Sequence, residues 1–354
     1  MSTPFWSPPS ERYPGRLPDR ADVLVIGGGI AGTSLLCLLE ARGFDAVLVE
    51  RSHLAAGASG RNAGFLLAGV ADCYAEAVRL FGRQKAREVW HITNENQDHM
   101  VEAAGGADVG HRRLGSVTLA SGDEERARLE ESEQLLREDA FEARWDGECL
   151  VNPRDGEINP AAMVGALARR AKRGAIREGV EVSAIEPGNG DVTVRAGERE
   201  CRAGIVILAT NGYTSLLVPQ LKIQPTRAQM LASAPVSGRV CEAPTYSHFG
   251  YRYWRQLPSG EVLIGGWRDT SLATEITHED EPTPQIQGHL DGQLARMGRA
   301  EVTHRWAGIM GFTESGLPLV GPVEGMKGVY SCAGFNGHGM GFAFMSAKQL
   351  VELL

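Results

Sequence analysis

Positive charge is in deficit in this chain of 354 residues, where 36 lysines and arginines face 44 aspartates and glutamates for a formal charge of −8. That sign opposes the non-specific attraction to phosphate on which nucleic-acid binders depend, so nucleic acid is not an expected partner. Cysteine is sparse: Cys37, Cys73, Cys149, Cys201, Cys241 and Cys332 show no CxxC spacing and no short disulfide framework, which points to a reducing, cytoplasmic setting. Long apolar runs are missing. The best, residues 23–39, is 17 residues long and contains four glycines, a threonine and a serine, whereas a bilayer needs roughly 20 predominantly apolar residues. No membrane span is therefore expected. Residues 1–20 carry prolines at 4, 8 and 9 without a basic segment leading into an apolar one, so they read as a surface arm with no legible chemistry rather than a signal peptide. The histidines form no HxH or HExxH, no GxSxG elbow is present, and neither a metal site nor a serine nucleophile has support.

Glycine is abundant, with 44 residues against 6% aromatics, which leans toward tight turns and close backbone approaches. The first legible unit is a strand over 23–26, a Gly-rich turn, a helix over about 30–42 closed by Gly43, and a strand over 47–50. Helical spacing follows over about 73–104 and 123–138, and again over 160–173, with Asn159 as N-cap and Pro160 at N1. Residues 180–185 read as a strand. Residues 205–209 are apolar without alternation, as in a parallel sheet buried on both faces. From about Pro225 alternating aromatics and hairpin turns such as Pro258-Ser259-Gly260 suggest an antiparallel unit with few helical signals, before a strand over 328–333 and a helix over about 341–354. The expected fold is α/β. A Rossmann-like dinucleotide-binding domain is assembled from 21–80, 148–217 and 306–354, and an interleaved α+β substrate domain on a largely antiparallel sheet from 81–147 and 218–305.

The strongest local signal is Gly27-Gly28-Gly29-Ile30-Ala31-Gly32 between strand and helix, with Glu50 18 residues after Gly32. In such a turn Gly27 permits the tight bend, Gly29 lets backbone approach a pyrophosphate, Gly32 lets helix pack on strand, and the helix N-terminus favours the anion. Glu50 would accept hydrogen bonds from a ribose and repel a 2′-phosphate. NAD and FAD both remain open on this evidence. Next to it, Arg51 and the run Gly57-Ala58-Ser59-Gly60-Arg61-Asn62-Ala63-Gly64-Phe65 can present N–H groups and a hydroxyl to phosphate, and Arg61 and Asn62 to a polar ring edge.

With that run, the sequence resembles the amine and amino-acid oxidoreductases related to D-amino-acid oxidase, glycine oxidase, sarcosine oxidase and gamma-glutamylputrescine oxidase, the last most closely, over nearly the whole chain from about Ala21. The resemblance implies FAD. It places Gly179-Val180-Glu181-Val182 beside the adenine, Ala209-Thr210-Asn211-Gly212 near the dinucleotide, and Pro225, Arg227 and Gln229 at the entry to the substrate domain. It reads Gly334-Phe335-Asn336-Gly337-His338-Gly339-Met340-Gly341 as the last flavin loop, whose following helix points its N-terminus at the flavin pyrimidine edge. Hydride uptake builds negative charge there, and a helix N-terminus stabilises it; His338 is a candidate to support the same edge, or to make a structural hydrogen bond.

The departures are as informative. In Ala307-Gly308-Ile309-Met310-Gly311, Met310 stands where glycine and D-amino-acid oxidases carry an arginine for the substrate carboxylate, and where sarcosine oxidases attach flavin through cysteine. Non-covalent FAD follows, with Cys332 as the remaining nearby thiol. A lysine that those enzymes place over the flavin falls by spacing on Ile264, and another on Gly341. For the substrate, Tyr251, Tyr253 and Arg255 share one face of a strand and Arg252 and Trp254 the other, with Gly266-Trp267-Arg268 on the partner strand. Tyr253, Tyr251, Arg255 and His338 are the candidate catalytic residues, with Arg255 or Arg252 for a distant substrate anion. The expected reaction is oxidation of the C–N bond of a small amine or amino acid by hydride transfer to flavin, with oxygen or another electron acceptor as second partner. A flavin 2-hydroxyacid dehydrogenase, an NAD enzyme and a non-catalytic flavin protein are the alternatives.

Overall fold

A computed structural model describes residues 2–298 and 300–354. Its first sheet runs in the order Leu319–Pro322, Val329–Ala333, Arg199–Leu208, Arg20–Ile26, Ala46–Glu50 and Ile176–Glu178, with Val192–Ala196 and Ala184–Pro187 branching from the long strand. The central pairings are parallel: Val23 lies opposite Ile205 and Ala46, and Ile26 opposite Leu208 and Val49. Leu24, Val25, Leu48, Val206 and Ile207 are fully buried, because helices Ile30–Ala41 and Gly339–Glu352 pack together over one face while an apolar layer with Val192 and Val194 covers the other. Burial on both faces is the reason these strands read as unbroken apolar runs.

The second sheet has the order Val302–Phe312, Gln224–Ser233, Val262–Gly266, Arg252–Gln256, Thr245–Ser247, Ser116–Leu119, Cys149–Asn152 and Arg144–Trp145. It is antiparallel except where Thr245–Ser247 meets Ser116–Leu119. The α/β class and the largely antiparallel second sheet agree with the expectation from sequence. Two segments expected in the dinucleotide domain pair instead in the second sheet: Cys149–Asn152, and residues 306–312 of strand Val302–Phe312.

Four local expectations change. The helical stretch over 73–104 is two helices, Tyr74–Phe81 and Arg83–Ala103, because Gly82 adopts φ +79° between them. Helix Pro160–Ala168 ends earlier than expected, though Asn159 does cap it by accepting the Ala162 N–H at 3.0 Å. Residues 180–183 form no strand; the Val180 N–H donates to Glu50 O, which lays this segment along the edge of the dinucleotide turn. A helix missed in the second unit, Pro284–Met297, buries Ile286, Leu290 and Leu294 against Leu231, Trp254, Val262 and Ile264 of the sheet's outer face.

The N-terminal arm is structural. Trp6 and Leu17 are buried, the Trp6 indole N–H donates to Asn62 O at 2.8 Å, and Tyr13 and Gly15 bond to Glu178. Ser2 Oγ donates to Asp280 O and accepts from the Ala307 N–H.

Candidate active site

A cavity of about 470 Å³ lies at the carboxyl ends of the parallel strands, between them and the inner face of the second sheet. Open α/β sheets bind ligands in this position, and the volume is in the range of small-molecule sites.

The Gly-rich turn forms one end. Gly27 has φ +114°, and a Cβ there would lie 2.7 Å from Ala209 O; one on Gly32 would lie 1.9 Å from Gly27 O. The Glu50 carboxylate accepts N–H groups from Gly28 at 2.8 Å and Ser52 at 2.9 Å, so it holds the turn as well as facing the cavity. Ser59 Oγ accepts the Ile30 N–H at 2.9 Å and sits 2.7 Å from where a Gly29 Cβ would be. Gly29, Ile30, Ala31, Ala58, Ser59, Ala63, Val182, Ala209, Thr210 and Gly308 all line the cavity, and the Arg51 guanidinium lies 4.1 Å from the centre of the Tyr213 ring in the same wall.

Several residues expected at the ligand make structural contacts. The Arg61 guanidinium donates through Nε to Ala56 O and through Nη1 to Ala307 O, both at 2.8 Å, and lies 3.7 Å from Asp280; it ties the loop to the second sheet and also lines the cavity. Asn62 Nδ2 donates to Ala58 O and Ser59 O while its Oδ1 accepts the Gly64 N–H, stapling its own loop. Gly32, Gly64, Gly212 and Gly334 lie outside the lining. Gly64 O accepts a bond from Arg255, and the Gly334 N–H donates to Asn211 Oδ1.

At the other end, Asn336, Gly337, His338, Gly339, Met340 and Gly341 bring the N-terminus of helix Gly339–Glu352 to the cavity wall. His338 is half-buried, its Nδ1 is buried without a partner, and its ring stacks on Tyr246 with centroids 6.2 Å apart. Burial lowers its pKa to about 4, against a raising backbone contact with Asn336, so at neutral pH it acts as a neutral dipole and not as a cation. Asn336 is engaged locally, its Oδ1 accepting the Thr313 N–H and its Nδ2 donating to Gly334 O.

Tyr246, Tyr251, Tyr253, Phe65, Leu67, Met310 and Phe312 line the remaining wall. Tyr253 meets Phe65 and Tyr246 edge-on, and its ring covers Gly265, where a Cβ would lie 2.3 Å away. Burial pushes its phenol up to about 12 and that of Tyr246 up as well. Ile264 points to the outer face with Trp254 and Leu231, so it presents nothing to the cavity.

Arg255 does not reach the cavity. It shares the Tyr253 face but lies deeper, 3% exposed, donating to Gly64 O at 2.8 Å and Ile158 O at 3.1 Å, with Glu157 3.6 Å away and the Trp6 ring centre 5.1 Å away. Burial lowers its pKa to about 10. Arg252 lies 5.1 Å from the Trp267 ring centre, also outside the lining. The cation that enters the substrate end is Arg268, beside Tyr251 and Phe312. The sequence places Arg268 on the partner strand of the substrate hairpin without giving it a role, and does not single out Tyr246. Gly266 and Trp267 have φ +112° and +61°, which breaks the two-residue alternation just before Arg268 and redirects its side chain.

Residues 22–353 match the DAO family model, described as FAD dependent oxidoreductase. The chain belongs to this family. Among curated relatives, "Probable oxidoreductase OrdL" of Rhizobium meliloti is 26% identical over 94% of this chain and 83% of that protein. Gamma-glutamylputrescine oxidoreductase of Escherichia coli is 24% identical over the same shares. The crystal structure of glycine oxidase from Geobacillus kaustophilus superposes with a TM-score of 0.79 at 19% identity, covering 95% of each chain, which establishes the common fold. FAD is the cofactor the DAO family implies. The residues fit it: the turn closes wherever a Cβ is added to Gly27 or Gly29, and an unpartnered imidazole nitrogen belongs to a residue of the opposite wall. Among the described residues no cluster of His, Cys, Asp or Glu is placed to hold a metal ion, and no helix is long and apolar enough to cross a membrane.

Proposed function

We propose that this oxidoreductase dehydrogenates the C–N bond of a small amine, with FAD held non-covalently and oxygen or another acceptor taking the electrons. When bound, FAD supplies the two-electron hydride acceptor. The carbon bearing the amine gives up its hydrogen as hydride, the nitrogen lone pair forms the C=N bond, and water hydrolyses the resulting iminium to a carbonyl compound and the released amine.

The observation that carries this reading is the chemical neutrality of the wall around Met310. Tyr246, Tyr253, Phe65 and Leu67 desolvate an amine and favour its neutral, reactive form. Tyr253, Tyr246 and His338 all keep their neutral forms at pH 7. An α-hydroxy acid needs a base for its hydroxyl proton and a cation for its carboxylate. His338, held near 4, is a weak base, and Met310 binds no carboxylate. The N-terminus of helix Gly339–Glu352 contributes positive potential at its wall. Non-covalent attachment is supported by Cys332, which is fully buried in strand Val329–Ala333 with its thiol pushed up to about 12 by burial, and is not part of the lining.

The test is anaerobic bleaching of the purified flavoprotein by a panel of primary and N-methyl amines, amino acids and 2-hydroxy acids. Bleaching by amines supports the reading; bleaching by hydroxy acids alone overturns it. Acid precipitation should release the flavin into the supernatant, and colour held in the pellet would contradict non-covalent binding.

A further inference from the structure

The cavity has one arginine at its substrate end with nothing to neutralise it. Arg268 lies with its guanidinium carbon 4.5 Å from the centre of the Tyr251 ring and 4.9 Å from that of Phe312. Among the described residues its side chain has neither a carboxylate partner nor a hydrogen bond. The other cavity arginines differ: Arg61 donates to two carbonyls and lies beside Asp280, and Arg51 stands beside Tyr213 in the wall that carries the Gly-rich turn. Ring contacts orient a guanidinium while leaving its N–H edges to bind an anion bidentately.

The segment that carries Arg268 is itself anchored. Seven residues on, Glu275 is buried and accepts from Arg227 Nε and Nη2 at 3.0 and 2.9 Å and from Gln229 Nε2 at 3.1 Å. Arg268 is thus held on a fixed strap.

We infer that Arg268 is the anion-recognising residue of this site, and that the substrate is an amine carrying a carboxylate some distance from its reacting carbon. Gly308, Met310 and Phe312 follow one another at two-residue spacing along the wall. At about 3.3 Å per residue, Phe312 lies roughly 7 Å along the strand from Met310. A cation docked on Phe312 meets a carboxylate several bonds removed from one that a cation at position 310 would hold. This inference rests on the amine reading above and names its substrate class.

The experiment uses the holoenzyme, an ω-(methylamino)alkanoate series with one to five methylenes, the matching methyl esters, and pentanoate as a non-reacting anion. Wild type should prefer the longer carboxylates over their esters, and R268M should reduce that preference in kcat/KM by about 10- to 100-fold, mainly through KM, the loss expected for a charge-assisted hydrogen-bonded pair. Arg268→Lys should restore part of it. Pentanoate, followed by perturbation of the flavin spectrum, should bind wild type and lose a similar factor in R268M. A carboxylate preference that survives R268M, a best substrate with a single methylene, or equal pentanoate binding to wild type and variant overturns the inference. If no amine bleaches wild type, the amine reading fails while the pentanoate titration still decides whether Arg268 binds anions.

Discussion

A side chain on Gly29 would put its Cβ 2.7 Å from Ser59 Oγ, the atom that accepts the first N–H of helix Ile30–Ala41. Gly29→Val must therefore displace the 58–62 loop and fill the space over the helix N-terminus. The expected result is loss of flavin, read from the ratio of flavin to protein absorbance; full flavin content would remove Gly29 from the dinucleotide site. Gly29 is legible in the sequence because a Gly-rich turn between strand and helix has few other uses. The backbone contacts of Arg61 and Asn62 are not, since a polar loop side chain reads the same whether or not it also satisfies backbone carbonyls. A second single-residue effect comes from Asp155, buried and accepting from the Ala68 N–H, Gln97 Nε2 and Ser116 Oγ. Burial raises its carboxyl from 3.8 to about 6 against those donors. The folded state thus keeps a proton that the unfolded chain has released. Stability from this group is intact below about 4 and falls as pH rises through 6. Asp155→Asn preserves the bonds with its amide donating to Ser116. Relative to wild type it should gain about 3 kcal/mol between pH 4 and pH 7, measured from urea midpoints across that range. A constant difference would show that Asp155 ionises normally.

At the scale of elements, the parallel strands and first helix are legible because burial on both faces leaves an unmistakable apolar run. The hairpin over 252–268 is legible only in part. Period-two alternation correctly puts Tyr253 and Arg255 on one face of strand Arg252–Gln256, but a face has depth. Tyr253 reaches the cavity, while Arg255 ends against Gly64, Ile158 and Glu157 behind the 57–64 loop. Helix Pro284–Met297 escapes notice because Ile286, Leu290 and Leu294 are a thin stripe among glutamines and glycines. The roles of the two arginines on this hairpin separate experimentally. Arg255→Met removes the guanidinium donor from Ile158 O and from Gly64 O, which keeps only the Ile158 N–H, and strips Glu157 of one of two cations, the other being Arg112. A loss of about 3–5 kcal/mol is expected in denaturant unfolding, with the carboxylate-to-ester preference of surviving enzyme intact. A changed preference with normal stability would return Arg255 to the substrate site.

Across the whole molecule, the least legible feature is the arm, since prolines and polar residues before the first strand resemble any disordered leader. Its importance comes from contacts hundreds of residues away. Ser2 touches the strap at Asp280 and strand Val302–Phe312 at Ala307, Trp6 supports both the Asn62 carbonyl and Arg255, and Tyr13 and Gly15 pair with Glu178 at the edge of the first sheet. One segment thus fastens both sheets around the cavity they share. Trp6→Ala removes a buried ring and the donor to Asn62 together. The packing loss alone is about 3–5 kcal/mol for a buried tryptophan. Because Asn62 staples the 58–64 loop, the effect should extend to the cofactor. Dilution of the holoprotein should release flavin faster from W6A than from wild type, while the native sheets persist by circular dichroism. If stability falls but flavin release is unchanged, the arm clamps the two sheets without shaping the dinucleotide loop, and the coupling through Asn62 is wrong.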